Sequence, residues 1–269
     1  MLYGSVCMIW LKRCLMLMSL GLASIPVAIA QSNQTRLVYD VASIRPSRPN
    51  APAGGIDPLP GGTGYKGAGV SVKVMLSVMY RLPMRQIVGG PDWLSDERFD
   101  VQAMTEAPHS TDDLHLMFQN LLADRFHLKL HRQTKLAPAY ILTVAKSGLK
   151  MTEATTAHDH NIPITNGGNN EFIGNSVRMG FFCWWLGLRL QNDQRPVIDQ
   201  TGLSGAYDFK LSFRPQLAPN ASMDANSSEQ DNRPSIFDAL KDQLGLVLTP
   251  QKGPVEILVI DSIEKPSEN

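Results

Sequence analysis

The chain has 269 residues and sets 25 Lys and Arg against 25 Asp and Glu, a formal charge of zero. That balance argues against nucleic acid or an anionic membrane surface as partner, since both select basic patches. Of three cysteines, Cys7 and Cys14 fall at the N-terminus and Cys183 stands apart, so the fold is expected to rest on a hydrophobic core without a disulfide framework.

Residues 1–30 read as an export signal. Lys12 and Arg13 precede an apolar run from Cys14 to Leu22, and Ala28-Ile29-Ala30 offers small residues for cleavage. The run, closed by Pro26, falls short of the about 20 apolar residues of a spanning helix. An uncleaved anchor is the alternative, and Met8 an alternative start. Cleavage would remove two basic residues and no acidic one, leaving 23 against 25, or −2. The expected location is the periplasm or the cell exterior, with no membrane span after signal removal.

Leu37, Tyr39, Val41 and Ser43 alternate in a predicted strand over 37–45. Five prolines and seven glycines between Pro46 and Gly69 predict an irregular segment. Next come a helix near Ser71–Arg81 and strands at Arg85–Val88 and Arg98–Ala103 about a Gly-Gly-Pro turn. From Ser110, the residues Leu114, Met117, Phe118, Leu121 and Leu122 share one helical face. Ser110 or Thr111 can cap that helix, and Asp112 and Asp113 complement its dipole. After Asp124 the period becomes two, with Phe126, Leu128 and Leu130 on one side. His127 and His131 on such a strand stand roughly 13 Å apart and cannot grip one metal ion.

A polar linker is expected over 152–170. It is followed by a helix near Val177–Leu190, strands at Arg195–Asp199 and Ala206–Phe213, and a structureless polar insertion about 215–233. Ser235 then caps a helix carrying Ile236, Phe237, Leu240 and Leu244; Leu246 and Leu248 alternate, and a turn leads to a strand at Val255–Ile260. This last stretch repeats the earlier one: Leu244 overlays Phe126, Leu246 overlays Leu128, and Gly245 falls on His127. The predicted fold is α+β, with four helix-strand-strand units in two pseudo-repeated halves, 37–151 and 171–265, and helices packed on mainly antiparallel sheets.

The segments VYDVASIRPS, QIVGGPDWLSDERFDVQA, LLADRFHLKLHRQTKLAPAYILTVAKSG, RPVIDQTGLSGAYDFKL and LGLVLTPQKGPVEILVIDSIEKPSEN resemble a soil-associated bacterial family of exported proteins of unknown function. The resemblance covers nearly everything after Tyr39. It implies an extracytoplasmic sensing or binding module, because some members carry this domain behind a membrane metallopeptidase of the beta-lactam-sensor type. It brings no catalytic residues. More distantly, the helix-strand-strand units are similar to the small N-terminal domains of secretins and TonB-dependent receptors, a likeness of fold alone. The third helix departs from the family's usual mixture of small and polar residues by reading MGFFCWWLGLRL.

That helix carries one apolar stripe of Met179, Phe182, Cys183, Leu186 and Leu190, and another of Phe181, Trp184, Trp185 and Leu188. A helix apolar nearly all round is either buried on both faces or binds something. The first reading sets it between the halves. The second makes Phe181, Trp184, Trp185 and Leu188 a groove for an apolar ligand or a partner's segment. Cys183 is expected to pack as a small hydrophobe. His158-Asp159-His160 lacks further ligands at metal-site spacing. Gly202-Leu203-Ser204-Gly205 and Ser147…Lys150 match nucleophile motifs by letters only. Asp92, Asp96, Asp100, Asp199 and Asp208 lie at or beside turns, where aspartate is ordinary, although a pair facing across a cleft would suit glycoside hydrolysis.

The expected function is thus an exported binding or sensory module for an unknown small molecule or protein segment, with no cofactor and no metal. The alternative is a secreted hydrolase of glycosidase or esterase type with its site between the halves.

Overall fold

The computed structural model describes residues 36–155, 163–168, 171–190, 195–214 and 232–266. The expected signal, the His158-Asp159-His160 triplet and nearly all of the 215–233 insertion lie outside the described residues. From Leu37 on, the chain forms one compact unit. It is a mixed α/β fold with five α-helices and three four-stranded, mainly antiparallel sheets among the described residues.

The first sheet has the order β1-β5-β3-β2, from β1 (Val41–Pro46), β5 (Phe99–Met104), β3 (Gly64–Val70) and β2 (Ile56–Pro58). Two features of the expected N-terminal region change. Ile44 faces the core while Val41 is exposed, because the chain bends at Asp40 and shifts the alternation by one. The glycine-rich stretch builds β2 and β3, its register slipping between Gly67 and Val70 in a bulge. Another sheet has the matching order β7-β11-β9-β8, from β7 (Thr152–Glu153), β11 (Ala206–Ser212), β9 (Glu171–Arg178) and β8 (Ile164–Gly168). Strands β7 and β8 arise inside the stretch expected to be a linker, where Ile164 buries its side chain.

Helix α1 (Val72–Met79) follows β3, and Ser71 caps it by accepting from the Val74 N–H at 3.3 Å. Helix α3 (Thr111–Phe126) follows β5 and is capped in the same manner by Ser110 at 3.1 Å. Its stripe of Leu114, Met117, Phe118, Leu121 and Leu122 is buried as the spacing requires. Phe118, fully buried, meets Tyr39 and Tyr65 edge-on with centroids 6.2 and 6.1 Å apart. Burial of such a side chain contributes about 1.5–3 kcal/mol. Helix α4 (Met179–Arg189) follows β9, and α5 (Ile236–Ala239) continues into a π-turn over Leu240–Leu244.

The central sheet has the order β10-β6-β12-β4, with β10 (Val197–Asp199) and β4 (Ile87–Gly89) running parallel to the long β6 (Lys129–Val144) and β12 (Leu246–Ser262). The strands after α1 therefore part company: β4 joins the central sheet and β5 the first sheet, with the short α2 (Trp93–Asp96) between them. Likewise β10 and β11 enter different sheets.

The turn expected between Leu248 and Val255 is absent, because β12 pairs with β6 along its whole length. Prolines 138, 250 and 254 fit this ladder for a geometric reason. Tyr140 gives its N–H outward to Pro196 at 2.8 Å, and Pro250 lies opposite it. By alternation the nitrogens of Pro138, Pro250 and Pro254 also point out of the β6–β12 ladder, beyond the ends of β10 and β4, so no ladder bond is lost.

The long strands tie two cores together. Leu258 and Ile260 at the end of β12 belong to the core of α1 and α3, whereas Tyr140 and Leu142 at the end of β6 belong to the core of α4 and α5. A small third cluster of Ala139, Val255 and Ile257 also lies on the central sheet.

Candidate functional site

Helix α4 enters the protein with a buried side that follows the first sequence stripe: Met179, Phe182, Cys183, Leu186 and Leu190 are all within the second core. Trp185 joins them, 5 % exposed, stacked on Phe182 at 6.0 Å and edge-on to Phe172 at 5.0 Å. It is a core residue and not the groove residue that its place in the second stripe suggested. The Arg189 guanidinium lies over its ring at 4.9 Å, which covers the aromatic surface that a polar edge would otherwise leave open. Leu188 is half-buried and lines none of the cavities described below.

Phe181 and Trp184 are only partly buried and lie on the side of α4 turned toward α1 and α3. They pack on each other at 5.4 Å and wall a cavity of about 250 Å³ against Tyr65, Val78, Leu114 and His115. A second cavity of about 120 Å³ shares Phe181, Pro163 and Thr111 with the first and is otherwise lined by polar groups, among them Arg81, Asp112, Ser176 and Arg178. A third, of about 220 Å³, shares Trp184 with the first and Arg81 with the second, and reaches Gln86, Cys183, Asp199 and Glu256. Three adjoining cavities thus surround the outward edge of α4.

Electrostatics differ along this cleft. At the apolar end, burial holds His115 well below the ordinary histidine value, at about 4, with the Arg81 charge acting in the same direction and Asp112 opposing it. Burial likewise pushes Tyr65 up to about 12. Both groups are neutral near pH 7. At the polar end Arg81 pairs with Asp112 at 2.6 Å. The Cys183 thiol is raised above its usual range by burial, with Asp199 adding to the effect, so it packs as a small apolar group. Among the described residues the buried Nε1 of Trp184, Nε of Arg81 and Oε1 of Gln86 make no hydrogen bond. All three residues line the third cavity.

The candidate carboxylates do not converge on this cleft as an acid pair. Asp100 accepts from Ser47 Oγ at 2.6 Å and from the Gly69 N–H at 3.0 Å, which hold its carboxyl below the usual range. Asp208 accepts from the Ser176 N–H, and Asp199 from the N–H and Oγ1 of Thr201. Asp92 precedes α2 without capping it, and Asp96 lies within that helix. Asp100, Asp199 and Asp208 belong to three different sheets. His127 and His131 each meet a separate carboxylate, Glu264 and Asp261, both at 2.9 Å.

Arg81, Arg178, His115 and Tyr65 were not among the sequence candidates. One signal was available for Arg81: it follows a helix at the position where glycine is the ordinary residue. His115 interrupts the polar side of α3, yet a lone buried histidine does not announce a cavity.

No described helix is long and apolar enough to cross a membrane. Neither the curated proteins nor the solved structures contain a match. A family model described as "Protein of unknown function (DUF3738)" matches residues 73–263. By that match, which covers the whole central sheet and the second core, the chain belongs to the DUF3738 family.

Proposed function

We propose that the chain is an exported binding module that holds a small apolar ligand in the cleft between its two halves. The observation that carries this reading is the placement of Phe181 and Trp184. These large rings face Val78 and Leu114 of the other half across about 250 Å³ instead of closing the gap. Ligand sites have this composition, apolar walls with a few polar groups such as Tyr65 and His115.

Export is supported by the basic-then-apolar pattern of residues 1–30. A sensory role is supported by the resemblance to proteins carried behind membrane metallopeptidases. Two pseudo-repeated halves are supported by the matching orders β1-β5-β3-β2 and β7-β11-β9-β8, and such halves would place a ligand where they meet. The hydrolase reading draws no comparable support, because Asp100, Asp199 and Asp208 are each engaged by local donors.

Tryptophan emission and calorimetry with indole, naphthalene and short alkyl alcohols test the reading. Binding heat together with an emission change that Trp184→Phe removes is the expected result. No heat and unchanged emission across that panel would sink it.

A further inference from the structure

We propose that the outer edge of β6 over Leu130–Leu136 receives an extended, acidic segment of a partner protein as an added strand. This surface is separate from the cleft and goes beyond the ligand reading above.

Strand β6 runs from Lys129 to Val144, yet β10 covers its outer edge only at Tyr140–Leu142. There the Tyr140 N–H donates outward to Pro196 O, and the Leu142 carbonyl accepts from the Gln200 N–H. The pairing of β6 with β12 keeps one register from Val144 back to Leu130. By alternation Leu130, Arg132, Thr134 and Leu136 therefore turn their N–H and C=O groups to that same outer edge. Among the described residues no strand pairs with them there. His131 through Leu136 are all exposed, and Leu136, at 75 %, is the most exposed large hydrophobic residue described. An edge in this state is a template for a further strand. The opposite edge of the central sheet is not. On β12, Pro250 and Pro254 turn nitrogens without hydrogen outward and leave Lys252 as the one outward donor between them. The proline of β6, Pro138, lies beyond the open span.

Charge decides the occupant. Strand β6 contains Lys129, Arg132 and Lys135 and no Asp or Glu. Glu256 on β12 pairs with Arg132, and Asp261 with His131, whereas Lys129 and Lys135 stand opposite Ser262 and Val255. A second copy of this strand would bring basic side chains against basic ones, an arrangement that opposes pairing. An acidic segment brings the complement. Successive side chains of β6 alternate between faces, with Leu130, Arg132, Thr134 and Leu136 on one and Lys129, His131, Gln133 and Lys135 on the other. The fitting segment therefore alternates acidic residues, set beside Lys129 and Lys135, with apolar residues set beside Leu130 and Leu136.

The test measures fluorescence anisotropy of a labelled, end-capped heptapeptide of alternating Glu and Val with the full chain, beside its Lys and Val counterpart. The acidic peptide is expected to bind about tenfold more tightly than the basic one. Thr134→Pro removes one outward N–H at a position equivalent to that of Pro138, which the strand already accommodates, and should weaken acidic-peptide binding about tenfold. Lys135→Glu should reduce the preference for the acidic peptide by a similar factor. On the unaltered protein a fully N-methylated acidic peptide, which keeps its side chains and donates no hydrogen bond, should not bind, so the test stands even where Thr134→Pro disturbs the fold. Absence of binding, equal binding of the two peptides, or binding by the N-methylated peptide would overturn the proposal. Sedimentation that showed self-association abolished by Thr134→Pro would overturn it in favour of a second copy on this edge.

Discussion

The carboxylate of Asp208 on β11 accepts a hydrogen bond of 2.6 Å from the backbone N–H of Ser176 on β9. Asp100 on β5 does the same for Gly69 on β3 at 3.0 Å. Both donating residues are left-handed, φ 53° and 67°, and both stand two residues before the N-cap of a helix, Arg178 for α4 and Ser71 for α1. Each aspartate therefore pins the bulge at which a strand turns into a helix.

The two bulges differ in room. A Cβ at Gly69 would lie 2.2 Å from the Pro52 carbonyl oxygen, while Ser176 already carries one. Gly69→Ala should destabilise the protein by about 2 kcal/mol or more, from strain and clash together. Ser176→Gly should range from neutral to about 1 kcal/mol stabilising. Urea denaturation midpoints measure both, and similar losses at the two positions would contradict this account.

The helix ends preceding the long strands make a second such pair. His127 after α3 and Gly245 after the π-turn both adopt the left-handed cap, φ 49° and 68°. His127→Gly should raise stability by about 0.5–1 kcal/mol, since the His127–Glu264 contact it removes is largely exposed and such pairs contribute little. At Gly245 a Cβ would sit 2.1 Å from the Gly148 carbonyl oxygen. Gly245→Ala should therefore cost about 2 kcal/mol or more. Thermal unfolding of the two variants reads the opposite signs directly.

This cap pair also shows how far the sequence could be read. Aligning the repeat set His127 on Gly245, and the histidine appeared only as a departure; the shared left-handed backbone explains why a residue tolerant of that conformation stands there. The stripe of α3 was legible because one face of it meets one core. The stripes of α4 were not fully separable, since Trp185 and Trp184 are adjacent in sequence and only packing decides which enters the core. The continuity of β12 was hidden by Pro250, Gly253 and Pro254, residues that signal a turn unless the direction of each missing or present N–H is known. The cleft was hidden for a related reason: Arg81 and Phe181 line one cavity through tertiary structure, 100 positions apart by their numbers.

Stability should depend on pH through His115. Its folded value is about 4 and the unfolded value 6.5, so between these the unfolded chain binds the additional proton. Stability is then fully present above pH 6.5 and is lost as pH falls toward 4, by up to roughly 3 kcal/mol for a shift of this size. His115→Gln should flatten the slope between pH 6.5 and 4. Carboxylates such as Asp100, held low by Ser47 and Gly69, act in a more acidic window. Denaturation midpoints at half-unit pH steps separate the two, and an unchanged slope in the variant would rule His115 out as the source.

Adjacent tryptophans on α4 should respond differently to truncation. Trp185 is packed between Phe172, Phe182 and Phe213, and Trp185→Ala leaves a void in the second core together with an uncovered Arg189. A loss of about 3–5 kcal/mol is expected. Trp184 faces two cavities and leaves its Nε1 without a partner among the described residues. Removing it deletes no hydrogen bond and enlarges space already open, so Trp184→Ala should cost less than about half as much. If chemical denaturation instead gave the two variants equal losses, Trp184 would be a packing residue and the cleft would lose the ring on which the proposed binding role depends.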